Sequence, residues 1–308
     1  MLDILGKRYI FFGLSLLLII PGLVVMAVFG LPLSIDFKGG TLLEVEFATG
    51  KLPSTDQIYT IYEDLGINDA QVTTTGSNTL VIRSSFMTDE VRASIVSEME
   101  TKLNDQVVVR RFDSVGPTIG REVAGRAALA VGLAALAVII YITYAFRGIP
   151  NAFRYGVCAI IAMLHDVLVV ISLVSIGGRL FGWQVDSLFL TALLSVIGFS
   201  VQDKVVVFDR IRENSVIYRK LDFEKLANHS IVQTLQRSIN TQLMTVEYML
   251  LALALFGGVT LREFAVILLV GLFMGTYSSI FIAAPTLVIW ESGEWKRWFG
   301  RKGQPASA

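Results

Sequence analysis

The chain has 308 residues, of which 54% are hydrophobic and 17% charged, with a formal net charge of zero and a mean hydropathy of +0.63. These values exclude an ordinary soluble domain and predict a polytopic α-helical membrane protein, and the balanced charge gives no reason to expect a nucleic acid partner. One cysteine, Cys158, and two histidines, His165 and His229, exclude a disulfide framework and any zinc site of usual spacing. We therefore expect no metal and no cofactor.

The first predicted membrane span covers residues 9–30 and follows an N-terminal segment, residues 1–8, that carries Lys7 and Arg8. A cleaved signal peptide is the competing interpretation of such a segment. The apolar run is about 20 residues long, which exceeds the core of a usual signal peptide, and no small-x-small cleavage site follows it. These features favour an uncleaved membrane anchor.

Residues 31–122 form the only long stretch without a membrane-spanning apolar run. Residue patterns predict two helices, capped by Ser54 and Thr88, and four strands at 41–47, 71–75, 80–84 and 106–113. The β-α-β-β-α-β order is typical of an α+β ferredoxin-like domain. Because this fold supports many functions, and because the sequence holds no nucleophile–base pair, phosphate loop or metal-ligand cluster, we expect a domain that is not an enzyme.

Further apolar runs predict a five-helix transmembrane bundle over residues 123–292. Counted with the first span, the chain is expected to have six transmembrane helices, with the external domain between the first and second. The later spans are placed at about residues 125–146, 155–176, 187–208, 241–256 and 264–290, with a segment at 209–240 and a tail at 293–308.

The distribution of Lys and Arg in the short loops predicts the orientation of the spans. One side receives the basic residues of the N-terminus, of the loop between spans two and three, of the segment after span four and of the tail. The opposite short loops contain only Arg179 and Arg262. Both termini and the segment 209–240 are therefore expected in the cytoplasm, and the domain at 31–122 in the periplasm. The chain would be a multi-pass protein of the bacterial cytoplasmic (inner) membrane.

The fourth span carries two ionisable residues inside its apolar run, Asp203 and Lys204. A charge at the centre of a membrane helix costs roughly 2.5–3.5 kcal/mol on insertion scales, so such a residue indicates a functional site. We expect Asp203 to be a titratable group of an ion pathway, and a purely structural pairing of this carboxylate is the alternative. Gln202 ends a polar face that begins at Thr191 and predicts helix packing.

Arg237 stands at the cytoplasmic entrance of the fifth span, 34 residues after Asp203. Because the two helices are expected to be antiparallel neighbours, a permanently charged guanidinium near Asp203 would hold that carboxylate ionised and would release it on moving away. The two residues are therefore a candidate proton switch. An arginine that merely snorkels to the cytoplasmic interface is the alternative.

The remaining polar features of the spans have structural and functional interpretations. His165 and Asp166, in the middle of the third span, are either helix-packing groups or a second protonatable site. The charged block DRIREN at 209–214 has the i,i+3 spacing of a solvated helix end. In the sixth span small residues recur every fourth position, which indicates close helix packing, at Gly271, Gly275, Ser279 and Ala283.

Together these motifs resemble those of the SecF family, the smaller membrane subunits of the bacterial SecD–SecF complex, over about residues 5–292. The resemblance rests on IDFKGGT at 35–41, HDV at 165–167, GFSVQDKVVVFDRIREN at 198–214, TLQRSINT at 234–241 and FGG at 256–258. The residues that match the family markers are Asp36, Gly39, Gly40, Asp209, Arg210, Arg212, Glu213 and Asn214.

The resemblance implies one six-span half of an RND-superfamily transporter that has no ATPase site. Such a subunit uses the proton-motive force, together with SecD, to promote late, ATP-independent stages of preprotein translocation. The family's acidic proton-pathway position falls on Asp203 and its essential arginine on Arg237, while a third carboxylate belongs to SecD. The implied partners are SecD, the SecYEG translocon, YajC, the YidC insertase, membrane lipids and unfolded preproteins, which the external domain would contact.

Two positions depart from the family pattern. SecF sequences commonly have a small hydroxyl residue where this chain has Lys204, and commonly lack a carboxylate at the position of Glu247. Because the two residues lie at similar depths on neighbouring antiparallel helices, we expect a compensating Lys204–Glu247 ion pair. Loss of one partner would then cost more than loss of both.

Three other functional classes are kept as alternatives. Half of an RND-type exporter of lipids or small molecules would usually need two large external domains, and only one modest domain is visible. A scaffold that only stabilises a translocon would be indifferent to proton ionophores. An enzyme is the least favoured class, because no catalytic constellation emerges from the sequence.

Overall fold

The computed structural model describes residues 3–75, 78–147, 151–242, 247–256 and 259–295. These residues divide into two compact units, a larger one built from Met1–Leu31, Ala130–Trp183 and Leu188–Ala308, and a smaller one built from Pro32–Leu129 and Gln184–Ser187. In chain order the elements are α1 (Arg8–Phe29), α2 (Ile35–Lys38), β1 (Gly40–Phe47), α3 (Thr55–Asp64), β2 (Gln71–Thr75), β3 (Thr79–Ser84), α4 (Asp89–Leu103), β4 (Val107–Val115), α5 (Pro117–Ala145), α6 (Ala152–Leu180), α7 (Ser187–Ile217), α8 (Phe223–Gln242), α9 (Tyr248–Phe256), α10 (Val259–Ser278), a π-helical turn (Ser279–Ala283) and α11 (Ala284–Glu291).

The smaller unit contains a four-stranded antiparallel sheet in the order β2-β3-β1-β4. Its elements follow the predicted β-α-β-β-α-β order, and each strand begins and ends within two residues of the predicted bounds. One face of the sheet and the two helices enclose a hydrophobic core, because alternate strand residues point inward. The largest buried members are Leu43, Phe47, Ile58, Ile61, Tyr62, Leu80, Ile82, Ile95 and Met99.

Both helices of this unit begin at the predicted residues, but only one is capped by its side chain. Ser54 and Gln57 form a capping box, in which Gln57 Oε1 accepts a hydrogen bond from Ser54 N at 3.0 Å. Thr88 precedes α4 without a side-chain hydrogen bond to the helix backbone. Its side chain hydrogen-bonds to Glu90 and lowers the pKa of that carboxyl. Thr88 is therefore the N-cap residue, as predicted, but its side chain does not bond to the helix backbone.

Two consecutive glycines turn the chain from α2 into β1. Gly39 has φ of 77° and Gly40 has φ of 129°, values that residues with a side chain rarely adopt. A Cβ atom on Gly39 would lie 2.6 Å from Pro117 Cα, and one on Gly40 would lie 2.7 Å from Ser84 O. The glycine pair of the IDFKGGT motif is therefore required by backbone conformation and by close packing.

Tyr62 lies within the core, and its hydroxyl has no hydrogen-bond partner among the described residues. Burial also raises the pKa of this phenol. Because an unpaired buried hydroxyl costs roughly 1–3 kcal/mol, we expect Tyr62→Phe to stabilise the unit by about 1 kcal/mol. Pulse proteolysis of the full chain across a urea series measures this. The control is Tyr59→Phe on the same helix, at a half-buried position, and destabilisation by Tyr62→Phe would contradict the prediction.

Among the described residues, five helical segments are long and apolar enough to cross a membrane: Leu5–Phe29, Pro117–Ala145, Ala152–Leu180, Ser187–Ile217 and Leu261–Glu291. The prediction of a multi-pass α-helical membrane protein is confirmed. The last segment joins α10 to α11 through the π-helical turn. Such turns are rare and occur often at functional sites.

The region of the predicted fifth span is described only in part. α9 has nine residues, and residues 243–246 lie outside the described ones, as do residues 76–77, 257–258 of the FGG motif and 296–308 of the tail.

The fourth span is longer than predicted, since α7 continues from residue 208 to Ile217 and includes the whole charged block at 209–214. Most of the rest of the segment 209–240 belongs to α8.

Candidate functional site

A buried ion pair joins α6 to α7. Lys204 Nζ lies 2.8 Å from Asp166 Oδ2, and the two side chains are 0% and 1% exposed. Antiparallel neighbouring helices bring these residues together, since each side chain points toward the facing helix. A buried charge is tolerated when it is paired and hydrogen-bonded, so the pairing explains how the span accommodates a lysine.

Three further groups complete the environment of Asp166. Its Oδ2 accepts hydrogen bonds from Ser200 Oγ at 2.5 Å and from Ser278 Oγ at 2.8 Å. Its Oδ1 lies 3.0 Å from His165 Nδ1. Lys204 Nζ also donates to Ser200 Oγ and to Ser200 O. The ionised carboxylate is therefore fully supplied with donors from α6, α7 and α10.

The predicted ion pair between Lys204 and Glu247 is wrong. Lys204 pairs with Asp166, and Glu247 is buried with its Oε1 atom unpaired among the described residues. Similar depth in two spans does not fix which faces meet, because the side-chain direction around each helix decides the contact. Lys204 points toward α6, and the prediction considered depth alone.

Asp203, the neighbour of Lys204, has a different environment. It is 6% exposed, and its Oδ2 accepts hydrogen bonds from Thr276 Oγ1 at 2.9 Å and from Gln242 Nε2 at 3.1 Å. In the described part of the chain no basic side chain lies within 4.0 Å of this carboxylate. Two adjacent residues of α7 thus present one carboxylate with neutral donors and one lysine in an ion pair.

Arg237 does not contact Asp203 in this structure. Its side chain is exposed and lines a cavity of about 310 Å³ between α7 and α8. The α8 residue that contacts Asp203 is Gln242, five residues further along the helix. The other residues that line the cavity are Val205, Val206, Asp209, Arg210, Glu213, Gln233 and Thr234.

The block at 209–214 forms ion pairs within α7 and hydrogen bonds to α8. Its internal pairs are Asp209–Arg212 at 2.6 Å and Arg210–Glu213 at 2.5 Å. Arg210 Nε also donates to Gln233 Oε1 at 2.7 Å. Asn214, which is 1% exposed, donates to the same oxygen at 2.9 Å and to Ser230 Oγ at 2.8 Å. The DRIREN block therefore bonds to α8 at residues that lie just before the TLQRSINT motif at 234–241.

The polar face of α7 that was predicted to pack on neighbouring helices points away from this chain. Gln202 and Gly198 are exposed, and Ser195 is only half-buried. The packing role expected for Gln202 therefore stays a prediction, since the residue is exposed in this chain. An exposed amide on a membrane helix requires a polar partner or water, because lipid tails offer no hydrogen bond.

The two glycines of the small-residue stripe in the sixth span lie against α7. A Cβ atom on Gly271 would collide with the side chain of Val196, and one on Gly275 would lie 3.2 Å from Ser200 Cα. Ser279 and Ala283 are both fully buried in the π-helical turn. This close approach brings the hydroxyl groups of α10 to the two carboxylates.

Asp36 bonds to the first residue of α7. Its Oδ2 accepts hydrogen bonds from Ser187 N at 3.0 Å and from Ser187 Oγ at 2.7 Å. A carboxylate at a helix N-terminus satisfies free backbone N–H groups and favours the helix dipole. This gives the acidic position of the IDFKGGT motif a structural role that the sequence did not indicate.

Sequence reasoning missed the neutral partners of the two carboxylates. These are Ser200 on α7, Gln242 on α8, and Thr276 and Ser278 on α10. A run of hydroxyl residues, Thr276 to Ser279, in an otherwise apolar span was the available signal. Hydroxyls are common in membrane helices as packing residues, so their number alone did not distinguish these positions.

Two family models match the chain. The model described as protein export membrane protein SecD/SecF, C-terminal, matches residues 95–293, and the SecD/SecF GG motif matches residues 24–51. The GG-motif match contains Asp36 and the glycine pair, and the C-terminal match contains the two carboxylates and their partners.

The chain is also similar to individual proteins named as translocase subunits. It is 81% identical to the protein translocase subunit SecF of Anaerolinea thermophila, over all of both chains. It is 34% identical to the protein translocase subunit SecDF of Bacillus subtilis, over 96% of this chain and 39% of that one. The crystal structure of SecDF from Thermus thermophilus, described as a translocon-associated membrane protein, superposes with a TM-score of 0.81 at 32% identity.

In that superposition the chain is covered over 94% of its length, and it spans 39% of the SecDF chain. The SecF relative has the same extent as this chain, whereas the SecDF relatives are more than twice as long. The family models, the full-length identity and the fold agree on one assignment. The chain belongs to the SecF family of protein translocase subunits.

Proposed function

We propose that the chain is a proton-driven subunit of a preprotein translocase accessory complex, with Asp203 as the proton carrier. The observation that carries this proposal is the environment of Asp203, a buried carboxylate whose partners are the neutral Thr276 and Gln242. The adjacent Lys204 is already neutralised by Asp166. Asp203 can therefore take up a proton without leaving a buried cation unpaired, as a carrier must.

The energy source is the transmembrane potential and proton gradient. Each proton that crosses 100 mV supplies about 2.3 kcal/mol. Protonation of Asp203 removes a buried charge and changes its hydrogen bonds to α8 and α10, which biases the packing of these helices. Arg237, at the edge of the cavity between α7 and α8, is proposed to control exchange on the cytoplasmic side and to approach Asp203 in a second conformation.

A SecD-type partner is proposed to complete the proton path. The SecDF relatives carry both names on one chain, of which this chain matches about two fifths. Two surfaces support a membrane partner. One is the polar face of α7 at Gly198 and Gln202, which is exposed in this chain. The other is α5, because only 6% of the residues in its most apolar stretch are buried. The partner would supply the third carboxylate of the pathway.

The finer architecture follows from the same proposal. The chain would have six transmembrane helices, one of them around α9, with a ferredoxin-like periplasmic domain at 31–122 and cytoplasmic segments at 1–8, 209–240 and 293–308. The protein would lie in the bacterial inner membrane with both termini in the cytoplasm, as the positive-inside rule indicates. Further proposed partners are SecYEG, YajC, YidC and unfolded preproteins.

Asp203→Asn and Arg237→Met test the proposal in the complex with its SecD-type partner, reconstituted with a translocon. Each variant should abolish the stimulation of translocation by an imposed proton gradient, because Asn carries no proton and Met removes the controlling charge. Co-purification should be unchanged. The control is Glu122→Gln, an exposed carboxylate in a surface ion pair. Near-normal stimulation in both test variants would refute the proton role.

A further inference from the structure

Two of the buried carboxylates, Asp203 and Asp166, are bound by one short segment of α10, which we call the hydroxyl segment and define as Thr276–Ser278. Thr276 Oγ1 donates to Asp203 Oδ2 at 2.9 Å, and Ser278 Oγ donates to Asp166 Oδ2 at 2.8 Å. Between them the ring of Tyr277 stacks on His165, with centroids 6.0 Å apart at an angle of 26°. A single turn of helix therefore contacts the proposed proton carrier and the Asp166–Lys204 pair at once.

The hydroxyls of Thr276 and Ser278 each have a second acceptor in their own helix. Thr276 Oγ1 lies 3.5 Å from Leu272 O, and Ser278 Oγ lies 3.1 Å from Gly275 O. A hydroxyl has one hydrogen to donate and two lone pairs that accept. Thr276 can therefore donate either to Asp203 or to the backbone of α10, and a small rotation of its side chain or helix decides between them.

The backbone immediately after the segment departs from regular α-helix. The π-helical turn, Ser279–Ala283, separates α10 from α11. Hydrogen bonds from Ser or Thr side chains to the carbonyl four residues earlier bend helices, and π-helical turns shift the register of the helix that follows. When the Thr276 hydroxyl changes its hydrogen-bond acceptor, α10 can therefore respond by bending at this point.

We propose that Thr276 is a positioning residue that couples the protonation of Asp203 to the conformation of α10. When Asp203 is ionised, the hydroxyl of Thr276 donates to Oδ2. When a proton binds to Oδ2, the new O–H donates to Thr276 Oγ1, and the hydroxyl hydrogen turns to Leu272 O. No bond other than that of the bound proton is formed, and each group keeps a partner. This inference rests on the proposed function.

Among the groups around Asp203, Thr276 is the one whose hydrogen bond must change when the carboxylate takes up a proton. On α7 the neighbour is Lys204, which is held by Asp166 of α6. From α8 the contact is the amide of Gln242, a neutral donor. Ser278 stays bound to the ionised Asp166, so it fixes one end of the hydroxyl segment while Thr276 changes its acceptor.

The test compares Thr276→Val and Thr276→Ser with Thr286→Val in the complex with the SecD-type partner. Thr286 lies in the same span, and its hydroxyl donates to Ile282 O at 2.6 Å, with no other partner among the residues that the structure describes. Thr276→Val should reduce proton-dependent stimulation about tenfold, since it loses one hydrogen bond to a charged group. Thr276→Ser should keep at least half of the stimulation, and Thr286→Val should match the unmodified chain.

Difference infrared spectra between low and high pH give a readout that simple loss of packing would not change. The carboxylic-acid band that disappears in Asp203→Asn should move to higher frequency in Thr276→Val and stay in place in Thr286→Val. If Thr276→Val keeps full stimulation while Asp203→Asn is inactive, this inference fails and the proposed function stands. If Asp203→Asn is fully active, the proposed function fails. Equal losses in Thr276→Ser and Thr276→Val would also overturn the inference, because the hydroxyl would then be irrelevant.

Discussion

Lys204→Met and Asp166→Asn are each expected to lower the free energy of unfolding by about 3–5 kcal/mol, and the double variant should lose less than either single variant. The reason is that each single change leaves a buried, uncompensated group, whereas the double change removes both charges. Lys204 and Asp166 are 0% and 1% exposed, so water cannot replace the missing partner. An orphan charge in such a site is far more costly than an absent pair.

Unfolding of the purified chain in mixed micelles, titrated with a denaturing detergent, measures the double-mutant cycle. A matched cycle on Glu122 and Arg126 serves as the control, since this pair is 2.6 Å apart but 54% and 79% exposed. Its coupling energy should stay below about 1 kcal/mol. Strictly additive losses at Asp166 and Lys204 would show that the buried contact is not an energetic pair.

The sequence was sufficient to predict that Lys204 needs a partner, but not which one. The chain offers two buried carboxylates near the right depth, Asp166 and Glu247. Depth follows from counting residues along a span, but the facing side depends on helix rotation and on which spans are neighbours. Those quantities are set by packing of the whole bundle, which no short motif encodes.

The small unit was predicted more completely than the site. β1 and most of β3 alternate in burial with a period of two, and Ser54 marks the start of α3 by a local hydrogen bond, so short-range patterns were enough. Asp203 was also predictable, because a carboxylate in an apolar run is conspicuous. Its partners Thr276 and Gln242 were not, because neutral side chains in membrane helices have many roles and their contacts are long-range.

The separation of Arg237 from Asp203 has a physical reason. Both belong to helices that pack together, and yet Gln242 contacts the carboxylate while the exposed Arg237 lines the cavity between α7 and α8. A long, permanently charged side chain gains more from hydration and from the acidic residues at the helix end than from burial. Its approach to Asp203 therefore requires a conformational change, which agrees with a role as a switch.

A close contact between α1 and α6 leads to the second prediction with a large expected effect. Gly22 lies against Ser172, so that a Cβ atom on Gly22 would collide with the Cα and Cβ atoms of Ser172 and lie 2.6 Å from its carbonyl oxygen. Ser172 Oγ donates to Ile19 O at 2.8 Å, which ties the two helices together at this point. Because the obstructing atoms include backbone, a change of side-chain rotamer cannot relieve the collision.

Gly22→Leu is therefore expected to lower the free energy of unfolding by about 1–3 kcal/mol or more, the usual cost of overpacking. Gly13→Leu is the matched control on the same helix, since nothing lies within 4 Å of a Cβ atom there. Replacement of a helical glycine gains about 1 kcal/mol of intrinsic propensity, so the control should be neutral or stabilising. The same detergent titration distinguishes the two variants. Equal effects of Gly22→Leu and Gly13→Leu would mean that α1 and α6 can separate without loss, and that their contact does not hold the bundle together.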